Sequence, residues 1–185
     1  MKISALALVL WATISANAFA SEIAGVSFVE NRTAGKTHLT LVGTGLMRYL
    51  VFIKAYVAAL YMEDDVPPKT VLSDVAKRLE IEYFVPIKAE DFVFSTNELT
   101  ARNVDADTLT RLRPRIERIN SLYEDIKPGD RYSLTYLPGV GTELALNGVP
   151  KGTIEGSDFA AAVFSMWLGK RPIDESLRNS LLGKK

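Results

Sequence analysis

The chain has 185 residues, 22 basic side chains against 22 acidic ones, one histidine and no cysteine. An even charge balance gives no general electrostatic affinity for nucleic acid or an anionic surface. The absence of cysteine excludes disulfides, thiol catalysis and cysteine–zinc sites, and the length fits one domain with a sizeable core.

The first residues read as a secretory leader. Lys2 supplies a short positive region, Ile3 to Ile14 is apolar, and Ala18-Phe19-Ala20 has the small-x-small form of a cleavage site. These features predict a signal peptide over residues 1–20 and a mature domain over 21–185, beginning near Ser21. The apolar run is short for a span of roughly 20 residues, so no stable membrane insertion is expected after cleavage. A simple leader and a cysteine-free chain point to the bacterial periplasm.

Strands are expected next, over Ile23–Val29 and Thr37–Val42, with Asn31–Lys36 as a polar turn. Gly43-Thr44-Gly45 reads as a tight turn into the long apolar stretch Met47–Met62, with a bend or bulge near Lys54. Pro67-Pro68 suits the opening of a short helix. From Lys77 to Val85 the sequence alternates. Leu79, Ile81 and Tyr83 share one face; Glu80 and Glu82 share the other, which reads as wet.

Helical patterns follow. Lys88 to Asn103 places Phe92, Thr96, Leu99 and Asn103 on one stripe. Leu109, Leu112, Ile116, Ile119, Tyr123 and Ile126 recur at three- and four-residue steps, and Pro114 predicts a kink or a restart there. After the turn Lys127–Asp130, Arg131–Leu137 and Thr142–Leu146 read as strands. Asn147-Gly148 is a hairpin signal leading to a strand that ends at Ile154. Ser157 suits the cap of a helix over Asp158–Leu168, closed by Gly169, and a last helix covers Asp174–Leu182. The order predicts an α+β fold, an antiparallel sheet with helices on one face. Phe92, Phe94, Phe159, Phe164 and Trp167 are candidates to line a pocket between the layers.

Most motifs carry no chemistry. Gly43-Thr44-Gly45 lacks a third glycine and a following helix, so it is no nucleotide loop. His38, the only histidine, has no nucleophile elbow to serve. No cluster has metal-ligand spacing, so no metal or cofactor is expected. Arg111, Arg115 and Arg118 read as the wet face of their helix. Arg48 is different. It lies inside Leu39–Met62 among apolar residues, and a guanidinium there needs an anionic or hydrogen-bonding partner unless it reaches solvent. On an uninterrupted strand Arg48 and Tyr56 share a face, and an arginine beside a phenol suits a carboxylate or phenolate. An internal ion pair with Asp91 or Glu98 is the plainer alternative.

Gly43-x-Gly45-x-x-Arg48, Lys54-Ala-Tyr56-Val-Ala-Ala-Leu60-Tyr61, Lys127-Pro-Gly-Asp130, Asp158-Phe159 and Trp167-Leu-Gly-Lys-Arg-Pro172, in this order, resemble the chalcone isomerase family, most closely its exported bacterial branch. The resemblance covers about residues 22–183. It implies an open-faced β-sandwich, a large antiparallel sheet covered on one face by helices, with a ligand cleft between them. In the plant enzymes a strand arginine holds the substrate, a threonine and a tyrosine organise a water, and an asparagine with a serine or threonine meets the distal ring. By spacing, the arginine falls on Arg48 and the threonine on Tyr56. The tyrosine falls on Phe92, the asparagine near Leu99 with Asn97 and Asn103 close by, and the distal hydroxyl on Ala161.

Loss of those hydroxyls removes most of the polar set. The resemblance therefore favours a periplasmic, non-catalytic member that binds a small amphipathic acid, fatty-acid-like, with Arg48, Tyr56, Phe92, Asn97 and Ala161 as the candidate ligand-binding residues. Two rivals stand beside it: a chalcone isomerase-type intramolecular lyase using Arg48, and a cell-envelope interaction module whose cleft is only packed core.

Overall fold

The computed structural model describes residues 20–49 and 52–184; the leader expected over 1–20 lies, except for Ala20, outside them. A seven-stranded antiparallel sheet runs in chain order: β3 (Asn31–Ala34), β4 (Thr37–Tyr49), β5 (Ile53–Met62), β6 (Lys77–Tyr83), β7 (Arg131–Leu137), β8 (Gly141–Leu146) and β9 (Val149–Ile154). A separate hairpin, β1 (Ala20–Ile23) with β2 (Val26–Val29), precedes it. The helices are α1 (Ala89–Asn103), α2 (Ala106–Asn120), α3 (Ser157–Leu168) and α4 (Glu175–Leu181). This is the α+β sheet-and-helix-layer fold that the sequence predicts.

β5 reads as a nearly continuous apolar run because it is buried on both faces. Tyr56, Ala58, Leu60 and Met62 pack into the helix-covered core, while Val57, Ala59 and Tyr61 pack into a second, smaller core with Val26 and Phe28 of β2. The Tyr61 hydroxyl donates to the Val29 carbonyl at 3.0 Å, which pins the hairpin to the outer face.

Several local expectations are corrected. Ile23–Val29 is not one strand: Ala24 (φ 54°) and Gly25 (φ 88°) turn it into the β1–β2 hairpin. Asn31–Ala34, expected within a turn, pairs with Thr40–Thr37 as β3. Gly43-Thr44-Gly45 is no turn but the middle of β4. Its glycines let α4 approach: a Cβ on Gly45 would stand 2.6 Å from Leu177 Cδ1. α2 runs through Pro114 without restarting, because Leu112, Ile116 and Ile119 on either side of it are buried in the core. Of the aromatics offered as lining, Phe159 and Phe164 are wholly buried core residues and Phe94 is exposed.

The outer face of β6 is not wet. Glu80 is fully buried. It accepts from Arg78 Nε at 2.8 Å, Arg32 Nη2 at 2.8 Å and Arg131 Nη1 at 3.1 Å. Arg32 Nε also lies 2.7 Å from Glu80 Oε1, but its N–H is not aligned for a bond and stays unpaired. Burial alone raises the Glu80 carboxyl; hydrogen bonds and charge from Arg32 and Arg78 outweigh it and hold the carboxyl below its ordinary value. On the inner face Lys77 is also fully buried. Its ammonium donates to the Ser73 and Val75 carbonyls at 2.7 and 3.2 Å and lies 4.7 Å from the Tyr136 ring centroid. Burial lowers its pKa to about 8, with Asp74 opposing.

Breaking a buried charge network costs about 3–5 kcal/mol. The arginines keep 22–31% side-chain exposure, so Glu80→Gln should lose about 3 kcal/mol, the lower end of that range. A group whose folded pKa is depressed stabilises the fold above its unfolded value, here 4.5, and that stabilisation is lost as pH falls through the folded value. Chemical denaturation from neutral to acid pH should therefore show wild type losing stability faster than Glu80→Gln. Parallel losses would remove Glu80 from the account.

Candidate functional site: an apolar cavity under the helix layer

A cavity of about 90 Å³ lies between the sheet and the helices. The inner faces of the strands supply Tyr56, Leu79, Ile81, Tyr83, Tyr132, Leu134 and Leu144. α1 supplies Phe92, Ser95, Thr96 and Leu99, α3 supplies Met166 and Trp167, and Tyr123 and Ile173 complete the lining. No side chain in the lining carries a formal charge at neutral pH.

Phe92 is the hub of an aromatic cluster. Its ring centroid is 5.5 Å from Tyr83 and 5.3 Å from both Tyr123 and Tyr132, stacked on Tyr123 and edge-on to the other two. Tyr56 meets Tyr83 edge-on at 5.7 Å. Such pairs contribute about 0.5–1.5 kcal/mol each beyond their burial. The stripe read on α1 is confirmed in part: Phe92, Thr96 and Leu99 line the cavity, while Asn103 donates to the Leu99 and Arg171 carbonyls.

The hydroxyls differ in what they have left to offer. Thr96 and Tyr123 share one hydrogen bond at 3.0 Å. Tyr132 accepts from the Glu124 N–H at 2.8 Å and lies 3.3 Å from its carbonyl. Tyr56 accepts from Trp167 Nε1 at 3.2 Å, which leaves its own proton to donate. Tyr83 makes no side-chain hydrogen bond to a described residue. Burial pushes the Tyr56 phenol up, against a lowering by the Trp167 bond, and pushes Tyr83 well above its ordinary value. Burial raises Tyr123 to about 12. All three are therefore protonated donors at neutral pH.

Of the candidate ligand-binding residues the structure brings together Tyr56 and Phe92, joined by Trp167 from the expected aromatic lining, and it leaves Arg48, Asn97 and Ala161 outside the lining. Asn97 sits on the exposed side of α1, accepting from Asn120 Nδ2 at 2.9 Å. Ala161 is half-buried on α3. Arg48 is exposed near the end of β4, and neither Asp91 nor Glu98 pairs with it among the described residues. The shared face expected for Arg48 and Tyr56 fails because the chain is interrupted twice. The two residues are on different strands, and the pairing steps from Met47↔Tyr56 to Arg48↔Lys54, leaving Ala55 as a bulge. Met47 and Ala55 pack on the helix-covered core and Leu46 on the outer one. Alternation beyond Met47 then carries Arg48 to the side away from the cavity. Tyr83, Tyr123 and Tyr132 line the cavity without having been singled out as site residues in the sequence, and for Tyr83 a signal was present. Its place beside Leu79 and Ile81 on the inner face of β6 was the signal.

The sheet, the single helix layer and the cavity between them define an α+β sandwich architecture with an internal cavity. The family model for chalcone isomerase-like proteins matches residues 20–183, and the chain belongs to that family. No curated protein sequence matches it. Among solved structures, the Arabidopsis thaliana fatty-acid binding protein AtFAP1 superposes with a TM-score of 0.70, at 15% sequence identity, over 89% of this chain and 96% of that one.

The phenols give a direct check on the geometry. Ultraviolet titration of Tyr83→Phe against wild type should show no difference in phenolate absorbance at pH 10, the ordinary value. The missing phenolate should appear only where alkali unfolds the chain. A difference centred near pH 10 would mean that Tyr83 is solvated.

Proposed function

We propose that the protein is a non-catalytic, exported binder of a small amphipathic acid, fatty-acid-like, whose tail occupies the cavity. One observation carries the reading: an apolar cavity with no charge, in which the Tyr56 and Tyr83 hydroxyls retain protons for a head group. The predicted leader supports the periplasm as its place of work.

The same lining argues against isomerisation. A lyase that stabilises a phenolate or enolate needs donors placed where charge develops, worth about 3 kcal/mol each. It also needs a proton donor or acceptor with a pKa near the working pH. The cavity holds no cation, Phe92 has no hydroxyl, and Tyr56 and Tyr83 are shifted away from neutrality. The family architecture and the likeness to a fatty-acid binding protein fit the binding role.

The lining also specifies how an acid binds. An ionised carboxylate buried against neutral phenols keeps a large desolvation cost. The head group is therefore bound as the neutral acid, accepting from Tyr56 and Tyr83. Size sets a second limit. A cavity of about 90 Å³ is well below the ~300–1,000 Å³ of ordinary ligand pockets. A short tail fits it directly, and a long one must displace Phe92 from its stack.

Titration calorimetry on delipidated protein tests this. Octanoic acid should bind more tightly as pH falls toward the carboxyl pKa, roughly 4–5, and methyl octanoate, which does not ionise, should bind roughly 100-fold more tightly than the acid at pH 7 and comparably to it only below that pKa. Tyr83→Phe should weaken the acid by roughly 2- to 12-fold, the equivalent of one neutral hydrogen bond. Arg48→Ala should leave it unchanged. A preference for the ionised acid that disappears in Arg48→Ala would return the anchor to the arginine and overturn the neutral-head reading.

Phe92→Ala removes the side chain that fills the centre of the aromatic cluster. Because Phe92 is only partly buried, the substitution should cost about 2–3 kcal/mol of stability, below the range for a fully buried Phe, while shifting ligand preference toward longer tails, read as affinity across a chain-length series. An unchanged length preference would show that the tail does not pass Phe92.

A further inference from the structure

The end of the β4–β5 hairpin has a layered chemistry that ligand binding does not use. Among the described residues six large apolar side chains are exposed, and three of them are here: Tyr49 at 62%, Phe52 at 88% and Ile53 at 45%. Tyr49 and Ile53 face each other on the last rung of the ladder, and Phe52 lies beyond it. One rung back, ~3.3 Å from the tip, Arg48 pairs with Lys54, and both are exposed. The stretch from Asn31 to Met62 contains no acidic residue, although the chain as a whole is neutral.

From this we infer that the β4–β5 tip docks on the surface of an anionic phospholipid bilayer. The order of groups along the hairpin follows the order of groups in a membrane interface. Phe52, Ile53 and the ring of Tyr49 enter at the acyl boundary, where aromatic side chains are favoured. Arg48 and Lys54 then stand at the depth of the phosphates. The docking is peripheral; no helix among the described residues is long and apolar enough to cross a membrane.

A protein partner fits less well. The three side chains expose on the order of 400 Å², against the ~800 Å² per partner of a stable protein interface. A second copy fits worse still. A two-fold contact sets the same patch against itself, and Arg48 and Lys54 would then meet their own like charges. A lipid phosphate is complementary to the pair. The tip also lies at the cavity end of β5, since Lys54 precedes the cavity-lining Tyr56 by two residues. If the ligand reading above holds, docking here brings the cavity to its source of ligand. The docking inference itself does not rest on that reading.

Flotation of the chain beginning at Ser21 with vesicles tests it. The protein should float with vesicles of equal parts phosphatidylglycerol and phosphatidylcholine, and far less with phosphatidylcholine alone. Raised salt should weaken the association. Arg48→Gln and Lys54→Gln should each weaken it about fivefold, the equivalent of about 1 kcal/mol per cation, and Phe52→Ser with Ile53→Ser should abolish it. The Phe52→Ser, Ile53→Ser protein should keep its wild-type melting temperature and its calorimetric affinity for octanoic acid, which separates docking from ligand binding. The inference is overturned if wild type does not float with the anionic vesicles or if the tip variants float equally well. Concentration-dependent dimerisation that these variants remove would overturn it in favour of a second copy.

Discussion

Burial of β5 on both faces is the constraint from which the rest follows. Its inward residues, from Tyr56 to Met62, hold up the helix layer, and its outward ones hold the β1–β2 hairpin. A one-residue slip would exchange the two sets, putting Tyr56 outside and Tyr61 in the core, so the register is fixed along the strand. The constraint ends at Ala55. There the bulge breaks the alternation, and the residues beyond it belong to neither core. Arg48 is exposed because of that break. Its guanidinium needs no buried partner, and the cavity behind Tyr56 has no cation.

β6 shows how the fold keeps charge away from the cavity. Its two wholly buried ionisable residues, Lys77 and Glu80, are both satisfied locally. Glu80 lies on the outer face under three guanidinium groups, and Lys77 lies at the far end of the inner face on two carbonyls and beside two aromatic rings. Between Lys77 and the open end, the inner face of β6 contributes only Leu79, Ile81 and Tyr83 to the cavity. The polar character of the site therefore comes from neutral groups, the phenols together with Ser95, Thr96 and the Trp167 indole, which donate without ionising. The outer network also ties three parts of the sheet together, because Arg32, Arg78 and Arg131 come from β3, β6 and β7.

Much of this was legible in the sequence, for physical reasons that also mark where legibility stops. The alternation of Leu79, Ile81 and Tyr83 against Glu80 and Glu82 gave the strand and its faces correctly. It could not show that the charged face was covered, because the covering arginines are distant in sequence. The stripe Phe92, Thr96, Leu99 was a local 3.6-residue signal, and it does line the cavity. The turn expected at Gly43–Gly45 and the shared face of Arg48 and Tyr56 fail for two separate reasons. Glycines that admit a helix from the far end of the chain look like turn glycines, and a bulge does not announce which residue it displaces. Motif order identified the family, because the spacing of Arg48, Lys54, Tyr56 and Trp167 reflects the topology. Spacing did not place side chains, so only Tyr56 and Phe92 of the candidate set meet in the cavity.

The neutral cavity changes what the fold selects for. A site centred on a cation discriminates between ligands by charge, and its donors are most effective where charge builds up during a reaction. A site lined by phenols and apolar side chains instead discriminates by transfer. It favours whatever leaves water cheaply, at about 0.8 kcal/mol per buried methylene, and then orients that molecule through one or two neutral hydrogen bonds of about 1 kcal/mol each. With roughly 90 Å³ available, few methylenes can be buried without movement. On the proposed binding role, affinity for a longer tail would be set by the cost of displacing Phe92 from Tyr83, Tyr123 and Tyr132. That cost is shared among three aromatic contacts, so the cluster that lines the cavity would also limit the length of tail it admits.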